Sequence, residues 1–138
     1  MVVETTEKKI LNKLNTGVSV TDLFTNIVQN GTLVIQGGSA TDELKTIYTV
    51  PSGKVLYITA MHLSYIQEGT TAGTVFIQLA NSYIPTALDS NASNGDHEAV
   101  TLSFPIPIKL SAGDDVNLYS SSSTVKAEGF IIGYIMNA

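Results

Sequence analysis

The chain has 138 residues, of which 43% are hydrophobic, and it carries a net charge of −5 with only 14% charged residues. This length predicts one domain that buries a hydrophobic core without disulfides or metals. All seven basic residues are Lys, and the lack of Arg together with the negative charge argues against recognition of nucleic acid. The absence of Cys excludes disulfides, thiolate catalysis and zinc sites with Cys ligands.

Membrane association is not expected either. No segment approaches the roughly 20 apolar residues of a membrane span. The first residues, MVVETTEKK, lack the apolar run of a signal peptide. We therefore expect a soluble protein that is made inside a cell.

The N-terminal residues 1–16 differ from the rest and are predicted to form a short helical arm, followed by a β-sandwich domain at residues 17–138. A helix at Thr5–Leu14 would carry an apolar stripe at helical spacing, formed by Ile10, Leu11 and Leu14. Three of the seven lysines lie elsewhere on this helix. A solvated helix face explains them, and the functional alternative is an arm that docks on a neighbouring subunit.

From Val18 onward, turn signals recur at short intervals, as is typical of an all-β sandwich or barrel. The stretch Val18–Val28 is ambiguous, because its apolar residues also fit a helical stripe. A tight turn at Asn30-Gly31 leads into a strand at Thr32–Gln36, and Gly37–Glu43 is predicted to be a polar loop.

The next strand is predicted at Leu44–Val50, and a turn at Pro51-Ser52-Gly53 leads into the longest apolar run, Lys54–Gln67. Both alternating sets of side chains in this run are substantially apolar. We therefore expect a strand that is covered on both faces, by the core on one side and by a second subunit or the N-terminal helix on the other.

A hairpin loop is predicted at Glu68–Gly73, with a returning strand at Thr74–Ala80 and a long polar connection between sheets at Asn81–Glu98. Three final strands bring the total to about eight. The first of them alternates strictly and should place six side chains on one sheet face. These are Val100, Leu102, Phe104, Ile106, Ile108 and Leu110. A turn at Ser111–Asp115 follows.

No catalytic, cofactor-binding or metal-binding residue is predicted. The two histidines, His62 and His97, are too few and too separate for the clustered His and carboxylate ligands of a cupin-type metal site. No Gly-x-Ser-x-Gly nucleophile motif occurs. His62 alternates with apolar neighbours, so we interpret it as a core or interface histidine; at an interface it would make assembly sensitive to pH.

The loop Asp89–Glu98 is where oxygen ligands are most crowded in the sequence. Calcium binds such groups, but the EF-hand spacing fails at Asn94 and Val100. Ordinary turn chemistry explains the composition better. Separately, Tyr83 and Tyr119 are candidates for stacking on sugars, with the loops Glu68–Gly73 and Asn81–Glu98 around them.

Two turn-and-strand patterns resemble a known class of domain. They are V-P-x-G-K within Thr49–Thr59 and P-I-x-L-x-x-G-D within Phe104–Asp114, with Gly129–Tyr134 as the closing element. Over roughly Ile47–Met136 the chain resembles jelly-roll β-sandwich domains of structural proteins from tailed phages and other viruses, including decoration, head-fibre, capsid and tail proteins. The resemblance implies a jelly roll of about eight antiparallel strands, frequent trimers and anchoring by N-terminal arms.

These observations together predict a non-enzymatic virion structural protein that acts through self-association, with a homotrimer as the expected oligomer and other virion proteins as partners. The alternative is a receptor-binding or carbohydrate-binding β-sandwich module. A cupin-like metalloenzyme that uses His62 is a third hypothesis. The virus, the host and the position in a particle are not determined by the sequence.

Overall fold

The structure is a computed structural model that describes residues 20–138, so the helical arm predicted at residues 1–16 lies outside the described residues. The described chain contains one helix, α1 (Val20–Asn30), followed by eight strands. The strands are β1 (Thr32–Thr41), β2 (Glu43–Thr49), β3 (Lys54–Gln67), β4 (Thr74–Leu79), β5 (Tyr83–Asp89), β6 (His97–Ser111), β7 (Asp115–Ser120) and β8 (Val125–Asn137).

The strands form two four-stranded antiparallel sheets. Sheet A has the order β1-β8-β3-β6, and sheet B has the order β2-β7-β4-β5. Within residues 20–138, β4 and β5 are the only consecutive strands that pair, so every other connection crosses between the sheets. Two four-stranded sheets joined in this way form an eight-stranded jelly roll, and the predicted all-β jelly-roll sandwich is therefore confirmed.

The core lies between the sheets and contains side chains from both. Its buried members are mostly aliphatic: Ala40, Val50, Leu56, Ile58, Met61, Leu63, Tyr65, Val75, Ile77, Leu79, Leu110, Val116, Leu118, Val125, Ala127 and Ile131. The face of each sheet that points away from this core is called its outer face below. Alternation along each strand decides which residues lie there.

The strand β3 has the bounds that the sequence predicts, and a β-bulge explains why both of its alternating sets of side chains look apolar. The register of β3 against both neighbours shifts between Ile58 and Ala60, so Thr59 forms a β-bulge. Leu56 and Ile58 point into the core before the bulge, and Met61 and the alternate residues after it do so as well. The side chains that face the core therefore belong to one alternating set before the bulge and to the other set after it. For this reason both sets contain apolar residues.

The prediction of a polar loop at Gly37–Glu43 is wrong, because β1 continues to Thr41. Gly37 pairs with Phe130 on β8, and a Cβ atom at Gly37 would lie 2.7 Å from the Phe130 Cβ. The glycine thus permits close side-chain approach within a strand rather than a turn. Composition alone does not distinguish these two uses of glycine.

Two connections in the structure differ from the predicted ones. Turn residues show where a strand ends, but they do not show which sheet the next strand joins. The hairpin predicted at Glu68–Gly73 is instead a crossover from sheet A to sheet B. The long connection predicted at Asn81–Glu98 contains β5, which forms a hairpin with β4. Only the segment between β5 and β6 crosses to the other sheet.

Strand β6 places five of its six predicted residues against the core, and Ile106 is the exception at 65% exposure. Between the pairs Ile58–Ile108 and Ala60–Ser103, β6 has four residues where β3 has one. Pro105 and Pro107 lie in this irregular segment. Because β6 is an edge strand, two residues without an N–H donor are tolerated there.

The two turns that carry the sequence resemblance lie side by side at one end of the sandwich. The Val50 N–H donates to the Asp114 carbonyl at 2.9 Å, and the Gly113 N–H donates to the Val50 carbonyl at 2.8 Å. Gly53 and Gly113 both adopt left-handed φ angles, of 74° and 86°. The shared sequence pattern therefore marks one structural unit.

The ambiguous stretch Val18–Val28 is helical from Val20 onward, and α1 lies across the outer face of sheet A. It contacts both β8 and β6, and its Ile27 is fully buried. A Cβ atom at Gly31, just after the helix, would lie 2.9 Å from the Tyr134 Cβ, so no larger residue fits there. No helix among residues 20–138 is long and apolar enough to cross a membrane.

Candidate functional site

The outer face of sheet A carries a shallow depression of about 520 Å³. One row of directly paired residues crosses it, from Gly37 on β1 through Phe130 on β8 and His62 on β3 to Thr101 on β6. Neighbouring residues in such a row are about 4.8 Å apart. The depression is therefore built on regular strands rather than on loops.

The aromatic rings of Phe130 and His62 stack with their centroids 5.2 Å apart and their planes 18° apart. The Nδ1 atom of His62 is 2.8 Å from the Thr101 hydroxyl, which fixes the imidazole ring on this face. On the other side of Phe130 lies Gly37, which has no side chain. One face of the Phe130 ring is therefore covered by His62, and the other faces the open depression.

The next row of the same face is polar. Ser39 on β1 pairs with Glu128 on β8, which pairs with Ser64 on β3. The Glu128 carboxylate forms an ion pair with the Lys126 ammonium at 3.2 Å, and both side chains are substantially exposed. Ser64 and Glu128 also line an adjoining depression of about 360 Å³, together with Glu68.

Beside the depression, β1 exposes two large aliphatic side chains on the same face. Leu33 is 52% exposed and Ile35 is 59% exposed. They pair with Tyr134 and Ile132 on β8, which are half-buried. We call Leu33, Ile35, Ile132 and Tyr134 the β1 patch. It contains no charged residue and lies at the edge of sheet A.

On the outer face of sheet B, the central aromatic and amide side chains contact one another. Phe76 and Tyr119 stack with ring centroids 4.5 Å apart. In the neighbouring row, the buried Asn117 accepts a hydrogen bond from the Thr46 hydroxyl at 2.8 Å. Its amide nitrogen donates to Asn81 Oδ1 at 2.9 Å and to Gln78 Oε1 at 3.3 Å.

The structure separates one of the predicted sugar-stacking residues, Tyr83, from the predicted loop Glu68–Gly73. Tyr83 begins β5 and pairs with Leu79, whereas Glu68–Gly73 precedes Thr74 at the other end of β4. The two ends of β4 are about 17 Å apart. Tyr119 is stacked on Phe76 instead of standing beside Tyr83.

Two carboxylates of the loop Asp89–Glu98, those of Asp89 and Asp96, accept hydrogen bonds within the protein. Asp96 accepts from the Tyr65 hydroxyl at 2.6 Å and from the Asn91 N–H at 3.0 Å, and Asp89 accepts from the Thr74 hydroxyl at 2.6 Å. The hydrogen bond from Tyr65 is the largest cause that lowers the pKa of Asp96. Burial, followed by the contact with Asp96, raises the pKa of Tyr65.

No group of three or more His, Asp or Glu residues is placed to hold a metal ion in the part of the chain that the structure describes. The two histidines are apart: His62 pairs with Thr101, whereas His97 pairs with Ile66, four residues further along β3. Four residues of strand correspond to about 13 Å. A cupin-type site that combines both histidines is therefore not formed.

Sequence reasoning missed Phe130 and Glu128, because the segment around them was interpreted only as a closing strand. A signal was present in the spacing of its glycines. Gly129 and Gly133 both face the core, where a Cβ at Gly129 would lie 3.1 Å from Leu118 Cδ1. Alternation then places Glu128, Phe130 and the following even-numbered residues on the outer face.

No protein-family model matches the chain, and no curated protein matches it. Solved structures with a similar fold include a pentameric capsid protein isolated from metagenomic phage sequences, with 18% identity, a TM-score of 0.42, and coverage of 94% of this chain and 90% of that one. A protein of the disulfide-linked pili of Bacillus endospore appendages is similar at 12% identity, a TM-score of 0.36, and coverage of 77% and 85%.

A further similar structure is the carbohydrate-binding module CBM36 in complex with calcium and xylotriose, at 12% identity, a TM-score of 0.34, and coverage of 78% and 99%. These proteins are structural components and a binding module rather than enzymes. At such identities and TM-scores, the likeness concerns the all-β sandwich and assigns no function to this chain.

Proposed function

We propose that this protein is a non-enzymatic structural component of a virion and that it acts through self-association. The observation that carries the proposal is the β1 patch, where Leu33 and Ile35 are more than half exposed on a regular strand. Contiguous apolar surface of this kind marks sites of protein contact. A second copy of the chain is the expected occupant.

Charge supports self-contact at this place. Two copies that each carry a net charge of −5 repel one another, so contact is most favourable where neither copy presents a charge. The β1 patch meets this condition. The exposed residues Phe24 and Val28 of α1, which immediately precedes β1, would add apolar surface to such an interface.

Burial energies indicate how large the interface must be. Covering a half-exposed aliphatic side chain contributes roughly 1 kcal/mol. Leu33 and Ile35 from both copies therefore supply about 4 kcal/mol, which does not give a stable dimer without further contacts. A stable interface buries about 800 Å² on each partner, so α1 or residues N-terminal to it would have to take part.

The proposal has three finer parts: the location in a virion, the role as a capsid, decoration or tail protein, and the homotrimeric state. They rest on the resemblance of the turns at Thr49–Thr59 and Phe104–Asp114 to viral jelly rolls. The alternative is a receptor-binding or carbohydrate-binding module, and its site would not combine Tyr83 with the loop Glu68–Gly73, because the two lie at opposite ends of β4.

The test is the solution mass of the full-length protein, measured by light scattering at micromolar concentration. We expect an oligomer, with three copies as the expected number, and we expect Leu33→Lys combined with Ile35→Lys to reduce it to monomer. Leu44→Lys is the matched control, because Leu44 is 52% exposed on the outer face of sheet B. A wild-type monomer, or an oligomer that survives the double substitution, would contradict the proposal.

A further inference from the structure

The depression around Phe130 has the composition of a binding site rather than of an interface between apolar surfaces. It combines one open aromatic ring face with a carboxylate and two hydroxyl groups within two adjacent rows of sheet A, and the Lys126 ammonium group from the next row pairs with that carboxylate. Ligand pockets typically combine apolar walls with a few convergent polar groups. This surface includes charged side chains, whereas the β1 patch has none.

The aromatic ring is held in a fixed position. Phe130 is 37% exposed, and its stack with His62 restricts rotation of its side chain. His62 is itself held by the Thr101 hydroxyl. Because Gly37 has no side chain, the free ring face is accessible from the side of β1. An apolar face of a ligand can stack there without rearrangement of the protein.

The polar groups lie within reach of a ligand that is stacked on this ring. Glu128 precedes Phe130 by two residues on the same face of β8, which places their Cα atoms about 7 Å apart. Ser39 and Ser64 flank Glu128 on the neighbouring strands. The site therefore offers hydroxyl donors and a carboxylate acceptor along one edge of the aromatic platform.

The charge at the site favours a neutral ligand. Lys126 balances Glu128 at 3.2 Å, so an ion of either sign would have to compete with an existing ion pair. Glu68 in the adjoining depression adds negative charge and disfavours anions. A ligand with hydroxyl groups can instead donate to Glu128 and accept from Lys126 without breaking the pair.

We propose that the Phe130 depression binds a pyranose ring of a neutral glycan, with the C–H face of the sugar stacked on Phe130 and its hydroxyl groups hydrogen-bonded by Glu128, Lys126 and Ser39. A sugar ring is the common biological ligand that has an apolar face and a rim of hydroxyl groups. The site is independent of the β1 patch and of the residues that the sequence suggested for sugar binding.

The experiment begins with a printed array of neutral oligosaccharides and continues with titration calorimetry on the glycan that binds best. We expect Phe130→Ala to weaken binding about tenfold, because the stacking partner is lost. Glu128→Gln should weaken it about tenfold as well, because a charged acceptor becomes neutral. Phe130→Tyr retains the ring and should bind within about twofold of the wild type.

Tyr83→Ala is the matched control, since it removes an exposed aromatic ring from sheet B and should leave the affinity unchanged. Circular dichroism and thermal unfolding of each variant establish that the fold is retained. Absence of binding to every glycan on the array would overturn the proposal, as would binding that Phe130→Ala leaves intact or that Tyr83→Ala abolishes. Preferential binding of a lysine-containing peptide would also overturn it.

The same titrations on the Leu33→Lys and Ile35→Lys double variant separate this proposal from the proposed assembly. Glycan binding that persists in a monomeric double variant supports two independent surfaces. Loss of glycan binding in that variant, with Phe130 unchanged and the fold retained, would contradict a site confined to one copy.

Discussion

The outer faces of the two sheets have similar backbones but use their side chains in opposite ways. On sheet B, Phe76 and Tyr119 stack on each other, and Asn117 hydrogen-bonds to residues on both sides. On sheet A, Phe130 has one ring face covered by His62 and the other open above Gly37. Sheet B thus pairs its central aromatic and amide side chains with one another, whereas sheet A leaves one face of its central aromatic ring uncovered.

This difference teaches that exposure alone does not identify a functional face. Leu44 on sheet B and Leu33 on sheet A have the same exposed fraction, 52%. Their surroundings differ, because Leu44 pairs with a stacked Tyr119 and Leu33 belongs to an uncharged patch beside a helix. A functional face is better indicated by whether the neighbouring side chains already contact one another within the chain.

The largest expected effect comes from deletion of Thr59, since this bulge decides which β3 residues form the outer face of sheet A. Without it, Met61 and Leu63 would turn outward and His62 would turn into the core. We expect a loss of more than about 4 kcal/mol in unfolding free energy, seen as loss of a cooperative urea transition.

Thr59→Val is the length-preserving control for this deletion. It removes only the hydrogen bond from the Thr59 hydroxyl to the Ile132 carbonyl, at 3.2 Å, and should cost about 1 kcal/mol. A deletion variant as stable as Thr59→Val would show that the bulge does not determine the face.

A smaller effect on the unfolding free energy is expected when one polar residue on each outer face is replaced by Ala. Asn117→Ala should lower the unfolding free energy by about 2 kcal/mol, because a buried amide with three side-chain partners is lost. Thr101→Ala on sheet A removes one exposed contact to His62 and should cost less than about 0.5 kcal/mol. Urea denaturation measures both, and equal losses would contradict the contrast between the sheets.

The smallest effect concerns the crossover from β5 to β6, where Tyr65 of sheet A holds Asp96 at 2.6 Å. The pKa of Asp96 is lowered below its ordinary value of 3.8, chiefly by this hydrogen bond. The ionised carboxylate therefore stabilises the fold above the unfolded-state pKa, and this contribution is lost as the pH falls through the folded-state pKa.

We accordingly expect Asp96→Asn to lower the urea midpoint at pH 7 and the difference from wild type to narrow below about pH 4. In a Tyr65→Phe background the same substitution should have a smaller effect, because the main hydrogen bond is already absent. A difference that does not change between pH 7 and pH 3 would contradict this assignment.

Much of the fold was predictable from local patterns. The bounds of β3, the turn at Pro51-Ser52-Gly53 and the turn at Ser111–Asp115 follow from apolar runs interrupted by Gly and Pro, which act locally. The Phe130 site was not predicted, because it consists of residues from β1, β3 and β8 that only strand pairing brings together. Strand pairing also separates Tyr83 from the loop Glu68–Gly73, which the sequence suggested as parts of one site.

The sequence by itself determined the class of the fold, the positions of most strands and turns, and the absence of Arg and Cys chemistry, because propensity, turn geometry and composition act over a few residues. Tertiary structure alone decided that β1 passes through Gly37, that Thr59 shifts the face of β3, and that Phe130 keeps one ring face open. Each of these depends on pairing between strands distant in the chain, and the free energy of that pairing is not encoded in any single segment.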